Sequence, residues 1–183
     1  MARLGDLRDF RHLAKIPNDR WAYLAGLFAG EGCFMLRSQK QVPRFGLQLA
    51  MTDEQIVRDV CTTWGGTVDA AGNHGKNGRL RNAYAWRVHD GYFVQALTRR
   101  ILPYMVGEKR AQGEAFLTFV DAKLECWERK TGVSYPSEDR LLLFKLALVA
   151  RNFAQGAAKG WRPKWEAYIA QLEQEVADGQ YVQ

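Results

Sequence analysis

The sequence predicts an α+β fold: a helix-strand-strand-helix-strand-strand-helix (αββαββα) core with an antiparallel four-stranded sheet, followed by extra C-terminal helices. Three observations carry the prediction. Residues 43–51 alternate cleanly, with Phe45, Leu47, Leu49 and Met51 on one side and Arg44, Gly46, Gln48 and Ala50 on the other. That is the period of a strand with one core face and one open polar face. Each strand pair is followed by a stretch of helical period that ends at a breaker, Gly65-Gly66 in one case and Pro103 in the other. Ahead of the first pair lies a run of small residues, Leu24-Ala25-Gly26-Leu27-Phe28-Ala29-Gly30-Glu31-Gly32. There Ala22, Ala25, Gly26 and Ala29 fall at i, i+3, i+4 and i+7, a helix face with almost no side chains.

The elements follow in order. Residues 1–17 hold a short helical pattern in Leu4, Leu7, Phe10 and Leu13, which Pro17 breaks. Asn18 or Asp19 can then cap the helix that carries the small-residue run, and that helix stops at Gly30 or Gly32. Residues 33–40 and 43–51 read as two strands around a tight turn. Thr52 or Asp53 caps a helix over 54–64 that turns Ile56, Val57, Val60 and Trp64 inward. A second strand pair spans about 67–70 and 81–89 and is joined by the glycine-rich basic stretch from Ala71 to Arg81. In its returning strand Tyr84, Trp86 and Val88 take one face, and Arg87 shares the other with Ala83 and Ala85. Helices follow over about 91–102 and 108–129, then 138–155 and 163–178. The last opens with Pro163, a residue favoured in a helix's first turn.

At 183 residues the chain is long enough to bury a full core without cross-links. We read 1–183 as a single domain. Hydrophobic residues make up 47% of it, and no apolar run approaches the length needed to span a bilayer. Scattered charges near the N-terminus leave no secretory apolar region. Cys33, Cys61 and Cys126 are far apart and unpatterned, which suits buried thiols in a reducing compartment. An intracellular location is expected. A net charge of +6 favours an anionic partner, of which nucleic acid is the commonest.

Gly costs a helix roughly 1 kcal/mol relative to Ala, so a helix face built of Gly and Ala needs a reason. Close approach of another backbone supplies one. Glu31 then emerges at the helix's C-terminal, negative end, where a carboxylate is unfavourable unless a cation stands beside it. Together these features describe two helices pressed together so that two carboxylates meet at one metal-binding spot.

Leu-Ala-Gly-Leu-Phe-Ala-Gly-Glu-Gly resembles the signature of the LAGLIDADG homing endonucleases, with seven of its positions identical or chemically close. The resemblance covers roughly residues 18–125, and residues 138–183 match the family only in being helical. The family's acid is the signature's eighth position, here Glu31. The sixth position, usually acidic, is Ala29, but it is not the family's metal ligand. A single signature implies a homodimer joined through Ala22, Ala25, Gly26 and Ala29. The stretch Leu172 to Gly179 is too short and lacks the small face of a second signature.

The resemblance also implies a reaction and its residues. Phosphodiester cleavage needs an activated water and charge neutralisation, which Mg²⁺ (or Mn²⁺) supplies from hard oxygen ligands. Glu31 from each subunit would hold the metal, joined by the carbonyl of Gly30. The family's lysine follows an apolar-Pro-aromatic segment, here Ile101-Leu102-Pro103-Tyr104. It maps to Lys109, with Gln112 at the matching offset and Arg110 as a rival. A third polar residue at the end of the second strand maps to Thr52 or Asp53, although Asp53 also suits a helix cap. The substrate implied is double-stranded DNA, cut at a long pseudo-palindromic site to leave 3′ overhangs. The host element would be a mobile intron, an intein or a phage.

The outward strand positions supply the reading surface. Arg37, Gln39, Arg44, Gln48 and Arg87 sit at polar phases, and Lys76, Arg79 and Arg81 occupy the connector. Arg and Gln read guanine and adenine edges, whereas Lys usually tracks phosphates. Trp161, Trp165 and Tyr168 read as packing residues. His12, His74 and His89 lack a metal-site context, and no Cys-x-x-Cys is present. The alternative to cleavage is a non-cleaving nucleic-acid binder on the same fold, an RNA-splicing maturase or a transcription regulator.

Overall fold

The apolar-polar alternation of residues 43–51 becomes a strand within one residue of its expected bounds. The computed structural model describes residues 10–37, 42–71, 83–130, 132, 134–152 and 158–179. Its elements run α1 (Arg11–Ala14), α2 (Asn18–Glu31), β1 (Gly32–Arg37), β2 (Arg44–Met51), α3 (Glu54–Trp64), β3 (Thr67–Ala71) and β4 (Ala83–Val88). Next come α4 (Gly91–Ile101), a 3-10 turn (Leu102–Tyr104), α5 (Gly107–Arg129), α6 (Ser137–Asn152) and α7 (Ala158–Ala177). This is the expected αββαββα order with helices after it. The four strands form one antiparallel sheet in the order β1-β2-β4-β3. Central β4 sets Arg87 opposite Gln48 of β2 and Thr67 of β3, with Asp69 opposite Ala85.

Two compact units divide the chain. One takes the described residues up to Met35 together with Gly46–Met105; the other takes Leu36–Phe45 with the residues from Val106 onward. The long α5 therefore groups with α6 and α7, whereas the family resemblance assigns most of it to a core ending near residue 125.

In the first unit α2 turns Trp21, Leu24, Ala25 and Phe28 inward. Trp21 meets Trp64 of α3 edge-on at 6.1 Å, and Arg20 bonds Asp59 at 2.9 Å and Thr63 at 3.1 Å while lying over the Trp64 ring. Pro17, in extended backbone, precedes the first turn of α2, and neither Asn18 nor Asp19 caps it. Pro17 has no N–H to satisfy, and its fixed φ delivers the chain into the helix directly. At the other end Gly32 leaves α2 in ordinary extended backbone. It is glycine because of space, since a Cβ there would lie 2.3 Å from Phe28 Cγ and 2.5 Å from the Phe28 carbonyl oxygen. The absence of that Cβ lets the strand turn tightly away from the helix.

Helix α3 begins on Asp53, whose Oδ1 accepts from the backbone N–H of Gln55 and Ile56. It closes on Gly65 and Gly66, both at positive φ, a conformation that favours glycine. A Cβ on Gly66 would lie 2.6 Å from Trp86 Nε1, so both conformation and space demand glycine there. The Trp86 indole donates to the Gly65 carbonyl at 2.6 Å and ties the helix end to β4. Two residues of β4 differ in burial from the others on their faces. Tyr84 is half-buried and its hydroxyl reaches Glu54, which together with Arg58 holds that carboxyl below its usual range. Ala85 is wholly buried, its methyl too short to rise beside Asp69 and Arg87.

In the second unit α5 packs on α6 and α6 on α7. Phe144 meets Trp165 at 5.5 Å and Tyr168 at 4.8 Å, while Arg151 stacks on Trp161 at 4.1 Å. The aromatics of the last helix are therefore packing residues. Helix α7 begins at Ala158, so Pro163 lies inside it and not in its first turn. The extra N-terminal turn carries Trp161 into the cluster with Trp165, their rings 5.2 Å apart.

Lys123 of α5 stands at a core phase, between Phe119 and Leu124. Its ammonium donates to the Pro43 carbonyl and lies 5.1 Å from the Phe45 ring. Burial, with help from the nearby Arg44 charge, pushes its pKa down to about 8 from 10.5. Folded protein then releases this proton before the unfolded chain does. Stability from this group should rise between pH 8 and pH 10.5, by on the order of 1 kcal/mol per pH unit, and be flat below 8. Denaturant melts of wild type and Lys123→Met across pH 8–10 check this. Parallel curves for the two proteins would exclude it.

Among the described residues no helix is long and apolar enough to cross a membrane. Of the three cysteines, all free thiols, Cys126 is buried as expected. Cys33 is exposed and Cys61 is half-buried. Cys33 lies near the start of β1, ahead of its buried run Phe34, Met35 and Leu36.

Candidate functional site

The inner face of α2 is set by its large residues, and this decides the fate of the small ones. At 100° per residue Ala25 lies about 40° from Trp21, on the core side. It is 1% exposed, so it belongs to the chain's own core and not to the expected dimer face. Ala22, Gly26, Ala29 and Gly30 occupy the opposite side and are exposed. A Cβ built on Gly26 or Gly30 meets nothing within 4 Å. The chain's own packing therefore gives no reason for glycine at either position.

Glu31 is the last residue of α2 and is exposed. Among the described residues no side chain bonds to it. Its negative charge sits at the negative end of the helix, an arrangement that costs about 0.3–1 kcal/mol. The Gly30 carbonyl belongs to the same last turn, where helix geometry leaves carbonyl oxygens without intrahelical donors. Phe28's carbonyl is met by the Gly32 N–H. Among the described residues no three His, Cys, Asp or Glu side chains cluster as a metal site. One chain thus offers a hard-oxygen pair, a carboxylate and a carbonyl.

Asp53 is exposed and has a structural task already, the cap of α3, worth about 0.5–2 kcal/mol. Thr52 beside it is also exposed. Lys109 lies half-buried in the first turn of α5, and Arg110 next to it is engaged by Glu114 at 2.8 Å. Gln112, one turn on, is buried.

The candidate reading residues fall into three groups. Arg37 closes β1 and Arg44 opens β2, both exposed. Gln48 and Arg87 face one another across β2 and β4, and Arg87 Nε donates to Gln48 Oε1 at 3.4 Å. Gln39, Lys76, Arg79 and Arg81 lie outside the described residues. Asp69 went unrecognised in the sequence. It sits diagonally across from Arg87 on the same face and accepts from its Nη1 at 2.9 Å. Period-two alternation through Thr67 and Asp69 would have placed that acid on the polar face.

No protein-family model matches the chain, and no curated protein is detectably similar to it. Solved structures are. The homing endonuclease I-CvuI, in complex with its target in 2 mM Ca, aligns over 90% of this chain and 98% of its own, at 19% identity and a TM-score of 0.62. The archaeal intron-encoded homing endonuclease I-Vdi141I, complexed with DNA, aligns over 86% and 98%, at 13% identity and a TM-score of 0.65. The fold is that of the LAGLIDADG homing endonucleases. A third LAGLIDADG structure, I-SmaMI bound to cleaved DNA, aligns over 86% of this chain but only 49% of its own, at 15% identity and a TM-score of 0.61. This chain therefore aligns with nearly the full length of the first two chains and with about half of the third. Within this fold residues 24–32 become the C-terminal part of α2, with Glu31 at its end and Gly32 opening β1.

Proposed function

We propose that the protein is a site-specific DNA endonuclease that acts as a homodimer with a divalent metal. The observation that carries this reading is Glu31: an exposed acid with no side-chain partner among the described residues, at the unfavourable end of a helix whose exposed side carries Ala22, Gly26, Ala29 and Gly30. A structural role does not explain it, since the acid destabilises its helix and the glycines fill no tight space. Juxtaposition of two such helices explains both. The alignment lengths support the same conclusion, because the chain matches I-CvuI whole and I-SmaMI by half.

In the dimer each Glu31 carboxylate and Gly30 carbonyl would hold Mg²⁺, which accepts one or two carboxylates, keeps water and takes phosphate oxygens from the substrate. Bound there, the metal supplies an activated water and neutralises charge on the phosphate. Lys109 steadies the developing negative charge or polarises the attacking water. Asp53 keeps its cap, so any contribution to solvent would come from its other oxygen, Oδ2. The polar sheet face and the basic connector bind the duplex, Arg and Gln at base edges and Lys at phosphates.

A randomised duplex library incubated with the protein and Mg²⁺, scored for cut ends, tests the reading. The expected result is cleavage at one pseudo-palindromic sequence with 3′ overhangs, abolished by EDTA. Sequence-selective binding with no cleavage in Mg²⁺ or Mn²⁺ would instead establish a non-cleaving binder on this fold.

A further inference from the structure

Gln48, Arg87 and Asp69 form a row across three adjacent strands, β2, β4 and β3, on the polar face of the sheet. Arg87 is at its centre, 28% exposed, with Asp69 on Nη1 at 2.9 Å and Gln48 Oε1 on Nε at 3.4 Å. The bonds have a consequence for what the row can offer a ligand. A guanidinium only donates, so the Gln48 amide must turn its oxygen toward Arg87 and its NH₂ away. Arg87 has five N–H donors, and Asp69 and Gln48 occupy two. What Gln48 and Arg87 direct outward is therefore chiefly donors, the amide NH₂ and the remaining guanidinium N–H groups.

Resting on the reading of this face as a DNA-binding surface, we propose that the Gln48-Arg87-Asp69 row recognises guanine, with Asp69 as the positioning residue. Guanine shows two acceptors in the major groove, N7 and O6, whereas adenine shows an acceptor and a donor. A free glutamine reads adenine with both its oxygen and its NH₂. Gln48 has its oxygen turned toward Arg87, which leaves that oxygen poorly placed to accept from adenine as well. A free arginine on an exposed strand samples many rotamers, and ordering it on binding opposes affinity. Arg87, held from two sides, has lost that freedom already. The second carboxylate oxygen of Asp69 is an acceptor and suits the N4 amine of the cytosine in the same pair. Asp69 also carries negative charge toward a polyanion, so it lowers affinity for DNA in general while raising discrimination.

Selection of binding sequences from a randomised duplex library, in Ca²⁺, with wild type and four variants tests this. Arg87→Ala should flatten one position in each half-site, and wild type should prefer guanine there by roughly ten- to a hundredfold. Asp69→Ala should cut that preference severalfold and at the same time tighten binding to unrelated DNA. Asp69→Asn, whose carbonyl can still accept from Nη1, should retain more of the preference than Asp69→Ala. Gln48→Ala should leave guanine preferred. The inference is overturned if the position lost in Arg87→Ala prefers another base, or if Asp69→Ala leaves discrimination unchanged. It is also overturned if an adenine preference disappears in Gln48→Ala. Wild type that selects no sequence at all would defeat the DNA-reading proposal itself, and this inference with it.

Discussion

Glu31→Gln is expected to abolish DNA cleavage, leave DNA binding near wild type and raise the melting temperature. The first effect follows from charge. In the proposed dimer the substitution removes both carboxylates from the metal site, and with them several kcal/mol of transition-state stabilisation. That corresponds to at least about a thousandfold in rate. The second follows because glutamine keeps the size and polarity of the side chain and no base contact is assigned to it. The third is independent of any substrate. Glu31 ends α2 at its negative pole with no cation beside it among the described residues, so its neutralisation should return about 0.3–1 kcal/mol. Single-turnover cleavage, equilibrium binding and thermal melting on one preparation measure all three. Retained cleavage would remove Glu31 from the mechanism. A lowered melting temperature would mean that the carboxylate has a structural partner.

The same residue marks how far the sequence can be read. Where two local signals agree, element and boundary are both legible. Helix α3 has a capping aspartate, an apolar stripe and a glycine pair, and it forms over the expected 54–64. Strand β2 has eight alternating residues, and it forms within one residue of expectation. Ends governed by packing are less legible. Pro163 carries a first-turn preference, but the aromatic cluster around Trp165 extends α7 by a turn ahead of it. Small residues are the hardest. Ala25 has the size of an interface residue and the phase of a core one, and only the positions of Trp21, Leu24 and Phe28 resolve which applies.

Site chemistry divides in the same manner. Glu31 stands out in the sequence because its neighbours are glycines, which makes its charge conspicuous. Asp69 and Lys123 do not stand out, since their roles depend on partners far away along the chain. Asp69 acquires its role only when β3 lies against β4 and brings it to Arg87, 18 residues on. Lys123 meets the Pro43 carbonyl 80 residues back in sequence. No window of the sequence contains either relationship. An unusual residue type at a regular phase was the available signal in both: an acid on a basic strand face, and a lysine at an apolar helix position.

Gly26→Leu should convert the protein to a folded, inactive monomer. In the isolated chain Gly26 is exposed and a Cβ there meets nothing within 4 Å, so a larger side chain has room. Replacing glycine in a helix interior should itself favour folding by roughly 1 kcal/mol. The proposed dimer faces the opposite outcome. With α2 pressed against its symmetry mate, each leucine enters a space sized for hydrogen, and overpacking costs about 1–3 kcal/mol per site. A twofold interface contains the substitution twice, so association should weaken by about 2–6 kcal/mol, thirtyfold to more than ten-thousandfold. Sedimentation equilibrium should therefore find monomer at concentrations where wild type is dimeric, while circular dichroism shows that the variant is folded, with a melting point that no longer depends on protein concentration. Cleavage should fall with dimerisation, because one chain supplies a single carboxylate. Ala25→Leu separates the two faces of the helix, since Ala25 is buried in the chain's own core and its enlargement should lower the melting temperature. An active Gly26→Leu dimer would show that the subunits meet through another surface, and that the bare face of α2 is not where the two acids converge.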